Sequence, residues 1–95
     1  MGFLFRRPDP IDRLLSANGS ARCVLAIEAL RKLAASPERI PAAWERIELP
    51  LMRDLPDCPP DAKPALLRVL EDCGGACRNR DVARRIMVLR DSLVG

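Results

Sequence analysis

Apolar side chains recur at helical intervals along most of the chain. Across residues 79–94, Val82, Ile86, Leu89 and Leu93 are spaced i, i+4, i+7 and i+11, while Arg80, Arg84 and Asp91 stand on the opposite side. That periodicity predicts an amphipathic helix whose apolar stripe packs against other helices. Cys73-Gly74-Gly75-Ala76-Cys77 precedes it, and the paired glycines predict a turn that ends one helix before the next begins. Residues 21–35 carry a second stripe, with Cys23, Ile27, Leu30 and Ala34 on one arc and Ala26 and Leu33 widening it. Glu28 and Lys32 add an i, i+4 ion pair in the favourable orientation.

Polar and proline positions set the boundaries. Asp9-Pro10-Ile11-Asp12 reads as a helix start: an aspartate at the N-cap, a proline where a missing N–H costs nothing, and an acid in the first turn. The helix should bury Ile11, Leu14 and Leu15 and stop at Asn18-Gly19, with Ser20 capping the next. Ser36-Pro37-Glu38 repeats the cap-then-proline signature, and Pro41 breaks any single long helix, so a tight turn and then a helix over 41–48 are expected. Ile40, Trp44 and Ile47 face the core there, Trp44 as a packing anchor. Pro50, Pro56, Pro59, Pro60 and Pro64 predict a proline-rich connection over 49–63. Its Leu49, Leu51, Met52 and Leu55 make it too apolar for a free linker, so it should wrap over the core with at most one helical turn. Helix resumes near Asp61 and runs through Leu66, Leu67, Val69 and Leu70 to Cys73.

The expected fold is all-α: a compact bundle of four to five short helices, arranged as two helical hairpins of which the C-terminal pair resembles a helix-turn-helix in outline. Residues 1–95 form a single helical domain with 1–8 as a tail, whose Phe3-Leu4-Phe5 is expected to fold back onto the core. The predicted core comprises Leu14, Ile27, Leu30, Leu33, Trp44, Ile47, Leu66, Leu70, Val82, Ile86 and Leu89.

Composition narrows the function classes. A chain of 95 residues buries about 60–65% of the surface its unfolded form exposes, enough for a thin core. No run approaches the roughly 18–20 apolar residues of a membrane span. The start has only Phe3-Leu4-Phe5 before Arg6-Arg7, too little apolar sequence for a secretory signal, and Arg6 breaks the myristoylation pattern. A cytoplasmic protein without stable membrane association is expected. There is no His, Tyr, Thr or Gln, so the commonest general base and the commonest neutral metal ligand are missing, and an enzyme is not expected. Fourteen arginines against two lysines, with abundant Ala, Pro and Leu, read as the coding bias of a GC-rich, bacterial-type genome as much as a selected surface.

Cys23, Cys58, Cys73 and Cys77 have the number for a tetrahedral metal site but not the spacing. The close pair is separated by three residues, unlike zinc knuckles, and Cys23 lies on the apolar arc of its helix, where a thiol behaves as a small hydrophobe. No metal and no other cofactor is expected. A disulfide joining Cys73 to Cys77, or Cys58 to one of them, is disfavoured by the expected compartment.

The net charge of +3 resides entirely after residue 77, where five arginines face two aspartates. Two readings of that basic face remain. One is a non-catalytic protein–protein interaction module, a small adaptor or regulatory subunit, whose partner, another protein or a second copy, docks on Arg78, Asn79, Arg80, Arg84 and Arg85 or on the proline-rich connection. The other is a nucleic-acid-binding protein that presents Arg78, Asn79 and Arg80 to base edges at the start of its last helix. Against the second, Asp81 and Asp91 interrupt the face and a pI of about 8.9 is low for that footprint.

Overall fold

A computed structural model describes residues 9–94, so the Phe3-Leu4-Phe5 tail lies outside the described residues. Five α-helices form an all-α bundle: α1 (Pro10–Ser16), α2 (Gly19–Ala34), α3 (Ile40–Asp54), α4 (Lys63–Ala76) and α5 (Arg80–Val94), with single 3-10 turns at Pro37–Arg39 and Leu55–Asp57. The packing follows the expected pair of hairpins. α2 pairs with α3, α4 pairs with α5, and the two hairpins join mainly through α2 and α4. α1 lies across α2 and α3. α3 and α5 approach each other along only a short stretch of backbone.

The core holds Leu14, Leu30, Leu33, Trp44, Ile47, Leu66, Leu70, Val82, Ile86 and Leu89, as the periodicity predicts. Ile27 differs, being only partly buried at the rim. The buried arc of α2 is rotated toward Cys23, Ala26, Ala29, Leu30 and Leu33, because small Ala26 and Ala29 let neighbouring helices approach closely.

Four boundaries depart from expectation. α3 does not stop near Glu48 but continues through Pro50 to Asp54, which shortens the proline-rich connection expected over 49–63. An interior proline costs a helix about 3 kcal/mol. Fully burying Leu51 and Leu55, which extend the stripe of Trp44 and Ile47, returns about 1.5–3 kcal/mol each, so tertiary burial outweighs the local cost. Gly74 and Gly75 do not end α4, which runs on to Ala76 with both glycines at negative φ. A Cβ on Gly74 would stand 2.8 Å from Met87 Sδ, so this glycine permits close approach of α5 rather than a turn. Gly19 does adopt the left-handed region, at φ 56°, but it opens α2 instead of closing α1, and Ser20 falls inside the first turn. α4 itself begins at Lys63, after a turn at residues 60–62.

The N-terminal signature is realised as read, with Asp9 Oδ1 accepting the Ile11 N–H at 2.8 Å. The other end of α1 depends on a residue outside that reading. Arg22, buried in α2, donates to the carbonyls of Leu14 at 3.1 Å, Leu15 at 3.2 Å and Ala17, and to Asp54 Oδ2 at 2.8 Å. A seven-residue helix is too short to persist alone, and its last carbonyls lack intrahelical donors. Arg22 supplies those donors while joining α1 and α2 to the end of α3.

Candidate functional site

The basic residues singled out in the sequence fall into three settings. Asn79 is structural: its Oδ1 accepts the Val82 N–H at 3.1 Å, which caps α5. Arg78 and Arg80 are exposed at the start of α5, and Arg84 is exposed one turn further on. Among the described residues no carboxylate lies within ion-pairing distance of these three arginines. Arg85 turns inward across the seam between hairpins. It donates to both oxygens of Glu48, to Glu45 Oε1 at 3.0 Å and to Asp81 Oδ2 at 3.2 Å, the last being the intrahelical pair that the spacing allows. Arg90 plays a similar part against Glu71 of α4 and its neighbour Asp91.

These pairs shape the local electrostatics. Hydrogen bonds from Arg85 hold the Glu48 carboxyl below the ordinary glutamate range, against an opposing effect of burial. Trp44, buried one turn before, finds no hydrogen-bond partner for its Nε1 among the described residues, yet its N–H dipole lies near enough to lower Glu48 a little further. The same carboxylates raise the pKa of Arg85, first through Glu48 and then through Glu45 and Asp81.

Beside this cluster lies a groove of about 250 Å³ between α3 and α5, lined by Glu48, Met52, Arg84, Arg85, Val88, Leu89 and Ser92. Met52 is 52% exposed and Val88 61% exposed, although both are large and apolar. Leu49, one turn before Met52 on α3, is 74% exposed. Exposed apolar side chains gathered in a groove, as Met52 and Val88 are here, mark candidate interaction sites. The groove unites the two surfaces that the sequence offered separately, since Arg84 and Arg85 come from the basic helix and Met52 from the stretch read as the proline-rich connection. Arg78, Asn79 and Arg80 are not part of its lining.

Sequence reasoning passed over Val88 and Arg22. Val88 was visible as an apolar residue four positions after Arg84, on the polar side of α5. Arg22 was visible as a charge on the apolar arc of α2, one turn before Ala26.

All four thiols are free, with no disulfide between Cys73 and Cys77 or from Cys58 to either. Cys58 neighbours Cys23, not Cys73 or Cys77. Burial first, and then Cys58 and Asp54, push the Cys23 thiol up to about 12. Cys73 is likewise pushed up to about 12, mainly by burial, and its Sγ lies 3.0 Å from the Leu30 carbonyl. Among the described residues no three Cys, Asp or Glu side chains converge as a metal-binding group. No helix among them is long and apolar enough to cross a membrane.

Compared with protein-family models, with curated proteins and with solved structures, the chain matches none.

Proposed function

We propose that this chain is a non-catalytic, cytoplasmic protein–protein interaction module, a small adaptor or regulatory subunit. The observation that carries this reading is the α3–α5 groove, where Met52 and Val88 are exposed beside Arg84, a cation with no carboxylate partner among the described residues. Apolar surface left in water on a small domain costs solubility, and burial against a partner recovers roughly 25 cal/mol per Å². The titrating groups support a non-catalytic role. Glu48 is held ionised by Arg85, and the Cys23 and Cys73 thiols are held protonated, which is the reverse of what a general acid or a thiolate nucleophile needs. The test is affinity capture from native cell extract with the wild-type chain and with Met52→Asp. A stoichiometric partner that is retained by the wild type and lost by the variant supports the module, and capture of no partner refutes it.

A second reading, nucleic-acid binding, is favoured by the exposure of Arg78, Arg80 and Arg84 without carboxylate partners among the described residues. The engagement of Asn79 as a cap and the 72% exposed Asp81 beside Arg80 weigh against it. Each phosphate contact would add about −0.9 to the slope of log affinity against log salt. Absence of binding to duplex or single-stranded DNA and RNA at low salt would remove this reading.

A further inference from the structure

We propose that the groove between α3 and α5 receives an amphipathic helix of a protein partner, whose apolar stripe packs on Met52, Val88 and Leu89 and whose one flanking carboxylate pairs with Arg84. The inference rests on the interaction-module reading and specifies its ligand.

The shape selects a helix. On α5 the groove runs from Arg84 to Ser92, about 12 Å at the helical rise per residue, which accommodates roughly two turns of a docked helix. α3 and α5 touch only briefly along the seam it occupies, so a further helix laid there completes packing that these two helices leave open. The other common modes of peptide recognition lack their requirements. Strand addition needs a free sheet edge, and no strand occurs among the described residues. Polyproline recognition needs an aromatic-lined groove, whereas the lining has no aromatic residue and Trp44 is fully buried. Met52 is suited to a helical ligand because its unbranched thioether chain adapts to the side chains laid over it.

The charges select a single carboxylate at one edge. Of the charged residues lining the groove, Glu48 and Arg85 satisfy each other, which leaves Arg84 as the unpaired charge. Glu45 and Asp81 share Arg85 beyond the groove lining and leave surplus negative charge at that side, which repels further acidic groups. A ligand with one carboxylate aligned with Arg84 is therefore favoured over a uniformly acidic one, and a ligand with a cation there is disfavoured. Self-association through the same face is distinguished from docking of another protein by oligomeric state, since a two-fold contact would make the free chain a dimer.

The test uses three synthetic peptides of about fifteen residues. They share a leucine stripe at i, i+3, i+4 and i+7, and they differ in one flanking position, which is Glu, Gln or Lys. Fluorescence anisotropy should rank them Glu, Gln, Lys in affinity, with about tenfold between the extremes at low salt and less at high salt. Arg84→Glu should invert the ranking. Val88→Asp should abolish binding of all three with an unchanged far-ultraviolet spectrum, since Val88 is 61% exposed and its replacement leaves the core intact. Binding of none of the peptides, equal binding of the Glu and Lys peptides, or an unchanged ranking in Arg84→Glu would overturn the proposal. So would a dimer in sedimentation that Val88→Asp dissociates, or anionic-vesicle or nucleic-acid binding that Val88→Asp removes. Affinity capture separates this failure from failure of the broader reading. A partner retained equally by wild type and Val88→Asp overturns the groove assignment and keeps the module, whereas no partner for either overturns the module.

Discussion

Replacing Arg22 by methionine removes a buried cation together with all four of its side-chain hydrogen bonds, while leaving a side chain of similar length to fill the space. The largest loss is at Asp54, whose side chain is only 14% exposed and sits at the C-terminal end of α3, where the helix dipole already disfavours an anion. Stranding a buried charge costs about 3–5 kcal/mol, and the partial exposure of Asp54 together with its remaining ion pair to exposed Arg53 at 3.6 Å brings that toward about 2–3 kcal/mol. The α1 carbonyls add less. Leu14 O still accepts the Ala17 N–H at 3.3 Å, and Leu15 and Ala17 are only half-buried, so water replaces much of what they lose. A total of about 3–4 kcal/mol is expected, a large share of the roughly 5–15 kcal/mol that stabilises a typical domain. Urea titration followed by circular dichroism would measure it. Thermal melting should fall by roughly 12–32 °C, given about 4–8 °C per kcal/mol for a domain of this size. Arg22→Lys should be intermediate, since an ammonium keeps the charge but cannot fork to three carbonyls and a carboxylate at once. Adding Asp54→Asn to Arg22→Met should cost less than the two changes made separately, because it removes the stranded charge. A loss below about 1 kcal/mol for Arg22→Met, or strict additivity in the double variant, would refute the assignment of Arg22 as the clamp on α1.

The remaining predictions concern protonation, helix geometry and thiols. Because Arg85 depresses the folded-state pKa of Glu48, the unfolded chain binds the proton more readily. The stabilisation from Glu48 is therefore fully present above the ordinary glutamate value of about 4.3 and is lost as pH falls through the depressed value. Glu48→Gln should flatten this acid limb in urea titrations at successive pH values, and an unaltered limb would show that the Arg85 contact does not stabilise the fold. Gly75→Ala should stabilise by about 0.5–1 kcal/mol, since Gly75 is helical with open space around its Cα. Gly74→Ala should gain less or lose stability, because its Cβ displaces Met87, and equal gains at both positions would refute the close approach of α4 and α5. Alkylation of the folded protein should modify Cys77 first, with Cys23, Cys58 and Cys73 protected by burial, and all four thiols should react after unfolding. Helicity should be unchanged by chelator, and melting on chelation would reveal a metal tied to the fold.

The sequence by itself determined the all-α class, the helical faces and most of the core. A helical stripe such as Val82, Ile86, Leu89 and Leu93 reports its own burial, since the period that makes the helix also decides which side chains leave water. The Asp9-Pro10 start was equally legible, because a cap satisfies its hydrogen bonds within a few residues. Features that balance a local cost against a distant gain required the tertiary structure. Pro50 argues locally for a break, and only the burial of Leu51 and Leu55 against other elements carries α3 past it. Gly74 and Gly75 argue locally for a turn, and only the proximity of Met87 shows that Gly74 serves helix packing. The candidate site divides in the same way. The sequence identified Arg84 and Arg85 as part of a basic helix, but their surroundings depend on residues far away in the chain: Glu45 and Glu48 pair with Arg85, while Met52 lines the same groove as Arg84. Charge pairing and groove formation depend on which helices become neighbours, and that arrangement is a property of the packed bundle rather than of any one helix.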